Sequence, residues 1–236
     1  MADNPTCNTI CKEIHEMGYE DKRIIPYRVM GLVGFGFDKY LKLREFPPTI
    51  FSPNCWGGIT YNTLGLPFNS PFINMFLDHE DYIKFLKNPE YYMNKKLAFI
   101  EMRHNEDIDI MYPVIELGDI TLFFNHYASY EEAVGKWNKR KERIDWNNIF
   151  AMSYDEDMKY IDEFSTLPYK KKVFFGGAEN EDIKCLIPMA CSSEERDNEP
   201  FYNFVNRCGR GEVVYYDVFD LLLDGDIHLV SKIRHR

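Results

Sequence analysis

From about Phe46 onward, short apolar runs alternate with amphipathic, charge-faced stretches, and this alternation narrows the fold more than any other feature of the chain. Runs at Thr49–Ser52, Pro71–Leu77, Leu97–Met102, Ile120–Asn125, Asn148–Ser153, Lys172–Phe175 and Ile183–Ile187 read as strands. Helical patterns lie between them. One spans Ile59–Leu64; another opens at Asp78, carries Tyr82, Ile83, Phe85 and Leu86, and stops at Asn88-Pro89. Ser129 and Glu132 form an S-x-x-E capping box for a charged helix reaching about Ile144, and a shorter helix passes through Tyr160, Ile161 and Phe164. Glu212–Leu223 closes the pattern as strand plus helix, while Arg103–Asp109 and 191–200 read as loops.

Strands alternating with helices predict an α/β fold of three layers, a mainly parallel or mixed sheet with helices on both faces, Rossmann-like in plan. Ile120–Asn125 is almost continuously apolar, as for a strand covered on both sides. No repeat, linker or low-complexity tract divides the chain. Residues 46–236 are therefore expected to form a single α/β domain, with residues 1–45 as an N-terminal extension packed on it. Within that extension, 6–17 reads as a small amphipathic helix built on Ile10, Ile14 and Met17. Gly31-Leu32-Val33-Gly34-Phe35-Gly36 has the dinucleotide fingerprint spacing reversed and reads as a turn.

Composition removes several function classes. At 236 residues, with a net charge of −10 and a pI near 5.1, the chain is poorly suited to a phosphate backbone, so nucleic acid is not an expected partner. No apolar run approaches the ~20 residues that span a bilayer, and no signal-peptide pattern opens the sequence. The six cysteines, at 7, 11, 55, 185, 191 and 208, lack metal-finger spacing, and reduced thiols in the cytoplasm are expected. Serine-hydrolase, P-loop and zinc-protease motifs are absent. Asp78-His79-Glu80-Asp81 reads as helix capping, so no metal site is assigned, and no cofactor is specified.

The segment Ser52-Pro53-Asn54-Cys55-Trp56-Gly57-Gly58 joins a strand to a helix, at the sheet edge where open α/β folds bind ligands. Asn54 offers an amide that orients an oxyanion, phosphate or sugar hydroxyl, and Trp56 a stacking surface. Gly57 and Gly58 allow close backbone approach, and free helix N–H groups favour an anion. Cys55 reads either as a nucleophile activated by the helix start or as a small residue buried in a tight turn. If the strands are parallel, Asn125-His126-Tyr127, Asp155-Glu156-Asp157 and Gly176-Gly177 end on the same edge. His126 is the candidate general base, because an imidazole with pKa ~6.5 exchanges protons near neutrality; a structural histidine bonded to a carbonyl is the alternative. Asn125 and Tyr127 flank it as binding candidates. Lys136, Arg140 and Arg143 form a helical stripe, either a solvated face or a clamp for donor phosphates. Asp155, with Glu156 and Asp157, reads as a holder of a divalent metal or a sugar hydroxyl, or equally as part of a charged helix start.

Several of these segments resemble an uncharacterised bacterial family, domain of unknown function nineteen-nineteen, whose members are often labelled exopolysaccharide biosynthesis proteins. The similarity is carried by Asn54-Cys55-Trp56-Gly57-Gly58, Leu64-Gly65-Leu66-Pro67, Ser70-Pro71-Phe72, Asp81-Tyr82-Ile83-Lys84-Phe85-Leu86 and Tyr112-Pro113. It continues through His126-Tyr127, Glu131-Glu132-Ala133, Lys136-Trp137, Arg140-Lys141, Arg143-Ile144, Leu167-Pro168-Tyr169-Lys170 and Lys172-Val173, covering roughly residues 46–177. The resemblance implies a role near surface-polysaccharide synthesis. Joined to the residues above, it leads to an expected transferase moving an acyl or sugar group from an activated donor, an acyl-CoA or nucleotide sugar, to a glycan hydroxyl. The alternative expectation is a non-catalytic module that binds a sugar nucleotide or glycan.

Overall fold

The computed structural model describes residues 13–19, 25–106, 109–189, 196 and 198–235. Elements are numbered in chain order. Four short parallel strands form the centre, β1 (Thr49–Phe51), β5 (Ile149–Asp155), β6 (Lys171–Gly176) and β7 (Leu186–Pro188), adjacent in that order. Successive strand residues face opposite sides. Ile50, Phe150, Met152, Val173, Phe175 and Ile187 therefore enter one core, and Phe51, Ala151, Phe174 and Leu186 the other. Both sets are buried, as expected of a parallel sheet covered on both faces.

The first core is closed by α1 (Tyr27–Met30), α2 (Phe37–Glu45), α3 (Trp56–Leu64), α8 (Phe201–Arg210) and α9 (Val218–Asp224), with strand β8 (Val213–Tyr216), which pairs with β9 (Leu229–His235). Tyr40 and Leu43 bring the segment before Phe46 into this core. The second core is closed by α4 (His79–Lys87), α5 (Pro89–Met93), α6 (Tyr130–Lys141) and α7 (Ile161–Thr166). It also holds residues of an antiparallel sheet ordered β2 (Leu97–Asn105), β3 (Ile110–Leu117), β4 (Ile120–Phe123). The fold is thus mixed α/β, with a parallel sheet of four strands plus antiparallel sheets and helices.

Two expectations about strands are corrected. Ile120–Phe123 is not part of the parallel sheet: Gly118 and Asp119 alone separate it from β3, and a two-residue connection joins only antiparallel neighbours. Pro71–Leu77 is a folded segment and not a strand. Ser70 Oγ accepts from Phe72 N–H, Asn74 adopts φ 60°, and only Phe76 bridges to Phe123. The expected helix at 6–17 lies largely outside the described residues, of which 13–16 are helical.

Candidate functional site

The turn between β1 and α3 is locked by its own side chains. Ser52 Oγ donates to the Asn54 carbonyl (2.9 Å) and accepts from Gly57 N–H (3.2 Å). Asn54 Oδ1 accepts from Trp56 N–H (3.0 Å). Two of the first N–H groups of α3, which an anion would need, are thus occupied from within. A Cβ on Gly57 would sit 2.7 Å from Ser52 Oγ and 3.0 Å from Ile50 Cγ2, so this glycine serves the tight turn. That corrects its expected ligand-binding role. Trp56 is corrected likewise: it is fully buried, stacked on Phe150 and tilted against Phe175, and has no ring face left for a ligand.

Outside the carboxyl ends of β1 and β5 lies a cavity of about 730 Å³, a size suited to a small-molecule ligand. Asn54, Cys55, Gly58, Ile59 and Asn62 line it from the turn and α3. From the other side come Asn74 and Phe76, Asn105 at the end of β2, and Asn125 with His126 beyond β4. Tyr154 of β5 and Phe68 complete the wall opposite Tyr202, Asn203, Asn206 and Arg210 of α8. Asn54 and His126 are therefore brought to one space, although β4 reaches it from an antiparallel sheet.

The lining has an unusual composition. Among the described residues, seven of the chain's 17 asparagines border it and none of those lining it is a carboxylate, in a chain with 38 acidic residues. Asn54 and Asn206 are only 5% and 7% exposed; Asn54 faces the Tyr154 hydroxyl, and among the described residues Asn206 Oδ1 and Asn125 Oδ1 are buried without a hydrogen-bond partner. Each such group costs about 1–3 kcal/mol when left unpaired.

His126 stands exposed at the rim, and partial desolvation holds its imidazole below the ordinary histidine pKa. It is neutral at pH 7 and able to accept a proton. Burial pushes the Cys55 thiol up to about 11, a larger effect than the opposing pull of Arg210. Since the thiolate is the nucleophilic form, the nucleophile expectation for Cys55 is corrected to a neutral thiol in the cavity wall. Burial also holds the Tyr154 phenol protonated.

Four other expected site residues lie outside the lining. Tyr127 is buried and structural: its hydroxyl donates to the Ile73 carbonyl (2.7 Å) and accepts from Arg140 Nη1 (2.6 Å). Arg140 also lies over the Phe68 ring, and Arg143 donates to the Phe68 carbonyl (3.3 Å), so this part of the stripe secures a cavity wall and is not a donor-phosphate clamp. Lys136 is exposed on α6 away from the cavity lining. Asp155 turns into its own loop, accepting from Asp157 N–H (3.3 Å) and Lys159 N–H (2.7 Å), and is not among the cavity-lining residues. The glycine-rich turn is shaped by packing: Gly34 adopts φ 75°, and a Cβ there would collide with the Asp217 carboxylate that caps α9.

Sequence reasoning missed α8 and its four cavity residues. The signal was present: Phe201, Phe204, Val205 and Cys208 recur at helical spacing, Pro200 precedes them, and Gly211 closes the helix at φ 72°. Among the described residues no group of three or more His, Cys, Asp or Glu side chains is placed to hold a metal ion, and no helix is long and apolar enough to cross a membrane.

A family model described as "Domain of unknown function (DUF1919)" matches residues 28–222. A Haemophilus influenzae protein named "Uncharacterized protein" is 32% identical over 182 residues, spanning 76% of this chain and 84% of its own length. The family match includes α3 and α8, both of which line the cavity.

Proposed function

The chain belongs to the DUF1919 family, and on that premise we propose that its cavity binds a saccharide and that the protein transfers an acyl or sugar group onto one of that saccharide's hydroxyls. The observation that carries the reading is the amide-rich lining of the cavity, seven asparagines among the described residues. An amide both donates and accepts, which suits vicinal hydroxyls, and Tyr202, Phe68 and Phe76 add apolar surface for a sugar ring.

His126 takes the proton of the acceptor hydroxyl. The hydroxyl oxygen then bonds to the acyl carbon or anomeric carbon of an acyl-CoA or nucleotide sugar, and the donor's leaving group departs with the bonding electron pair. No covalent enzyme intermediate is needed, in keeping with a protonated Cys55. The setting of this reaction is cell-surface polysaccharide synthesis in the cytoplasm.

One observation favours a second reading, a non-catalytic module for a glycan or sugar nucleotide. Among the described residues, no hydrogen-bond partner orients the His126 ring, whereas a general base is commonly held by one. Replacing His126 by Ala separates the two. With oligosaccharide acceptors and a panel of acyl-CoA and nucleotide-sugar donors, transfer followed by mass spectrometry should fall about 10²–10⁴-fold. Saccharide affinity measured by calorimetry should change by no more than roughly threefold. Undiminished transfer would remove His126 as the base, and binding without transfer by the unaltered protein would establish the second reading.

A further inference from the structure

Resting on the saccharide reading, we infer that the ligand of this cavity carries an anionic group, a phosphate ester or a carboxylate, and that Arg210 receives it. The chain bears 38 acidic residues and a net charge of −10, yet none of the described residues lining the cavity is acidic. Its only fully charged lining residue among those described is Arg210, in the last turn of α8. A cavity with low-dielectric walls and one sign of charge focuses its field on an incoming ion of the other sign. An acidic surface would otherwise repel that ion.

Arg210 differs from the guanidinium groups around it. Arg207, on the same helix, is held by Glu199 (3.1 Å) and Glu212 (3.4 Å). Arg196 is held by Glu156 (2.7 Å), and Arg140 by Tyr127. Arg210 forms no ion pair among the described residues and lies exposed in the cavity wall. Support for the helix dipole does not require that placement, because Arg207 in the same last turn already supplies a cation.

The geometry of α8 then orders the ligand. Asn203, Asn206 and Arg210 follow at i, i+3 and i+7, one side of the helix, and all three line the cavity. At 1.5 Å per residue they span roughly 10 Å. That row fits a sugar ring whose hydroxyls meet the two amides and whose charged substituent meets the guanidinium. Phosphate esters and carboxylates share the chemistry that recognises them, a planar fork of N–H donors.

The test is a set of calorimetric titrations on the full chain and on its Arg210→Gln and Arg210→Lys variants. The probes are glucose, galactose and N-acetylglucosamine, the 1-phosphate of each, glucuronate, galacturonate and inorganic phosphate. The expected result is that charged sugars bind the unaltered protein about 10- to 100-fold more tightly than their neutral counterparts. R210Q should abolish that preference, and R210K should restore part of it. A gain limited to the 1-phosphates identifies a phosphate ester, and one limited to the uronates a carboxylate. Equal binding of neutral and charged sugars would overturn the anionic group and leave the saccharide reading standing. A preference that survives R210Q, with the variant's melting temperature unchanged, would overturn Arg210 as its receiver. Binding of inorganic phosphate without any sugar would overturn the saccharide reading and keep Arg210 as an anion site. No binding of any probe would overturn both.

Discussion

Asn54 carries two functions in one side chain. Its Oδ1 accepts from the Trp56 N–H at the start of α3, and its amide also meets Tyr154 in the cavity wall. Cys55, the next residue, shows how burial changes chemistry. With its thiol pushed up to about 11, the thiolate is scarce at neutral pH and grows with each unit of rising pH until that value is passed. Peptide-resolved alkylation by iodoacetamide at pH 8 should modify Cys55 about 100-fold more slowly than an unhindered thiol, the rate climbing through pH 10. Modification at the ordinary rate would show that the thiol is not held protonated. At this scale the sequence pointed to Asn54 and His126 through a rule about where strands end. It misassigned Trp56 and Gly57, because nothing in a turn's composition says which side chains close it internally and which face outward.

At the scale of elements, local chemistry was readable where it is self-contained. The S-x-x-E signal before α6 corresponds to Ser129 Oγ accepting from Glu132 N–H at 3.2 Å, with Glu132 Oε2 reaching back to Ala128 N–H. Ser129→Ala should therefore cost about 1 kcal/mol, read as a lower urea midpoint with unchanged slope. A cost near zero would mean that packing of Ala133 and Trp137 alone fixes the start of α6. The helix also carries Arg140 and Arg143 to Phe68, so its stability and the cavity wall are linked. Strand β3 was not legible because Pro113 interrupts its pattern; it is tolerated within a sheet whose pairing continues on either side of it. Helix α8 was legible but unread, and with it went Tyr202, Asn203, Asn206 and Arg210 of the cavity lining.

The whole molecule is organised by one thin sheet with a core on each face. Trp56 lies in one core and Trp137 in the other. Because Ile50 and Phe51 are neighbours in a three-residue strand serving both, the cores should unfold together. In each of Trp56→Phe and Trp137→Phe, made in a Trp146→Phe background so that one tryptophan remains, tryptophan emission and far-UV circular dichroism should share one urea midpoint. Two separated midpoints would show the layers unfolding independently. The alternation of strands and helices conveyed this layered plan correctly. It did not convey that three consecutive strands leave the parallel sheet, since strand direction depends on connection length and partner choice, which apolar runs do not encode.

The cavity's position between the layers has a mechanical consequence. One wall belongs to α3 and α8, the other to the segment around Asn74 and the ends of β2 and β4. Its width is therefore a caliper reading of how far apart the two layers sit on their shared sheet. A substitution deep in either core, far from any bound molecule, moves one jaw of that caliper and is felt as a change in affinity.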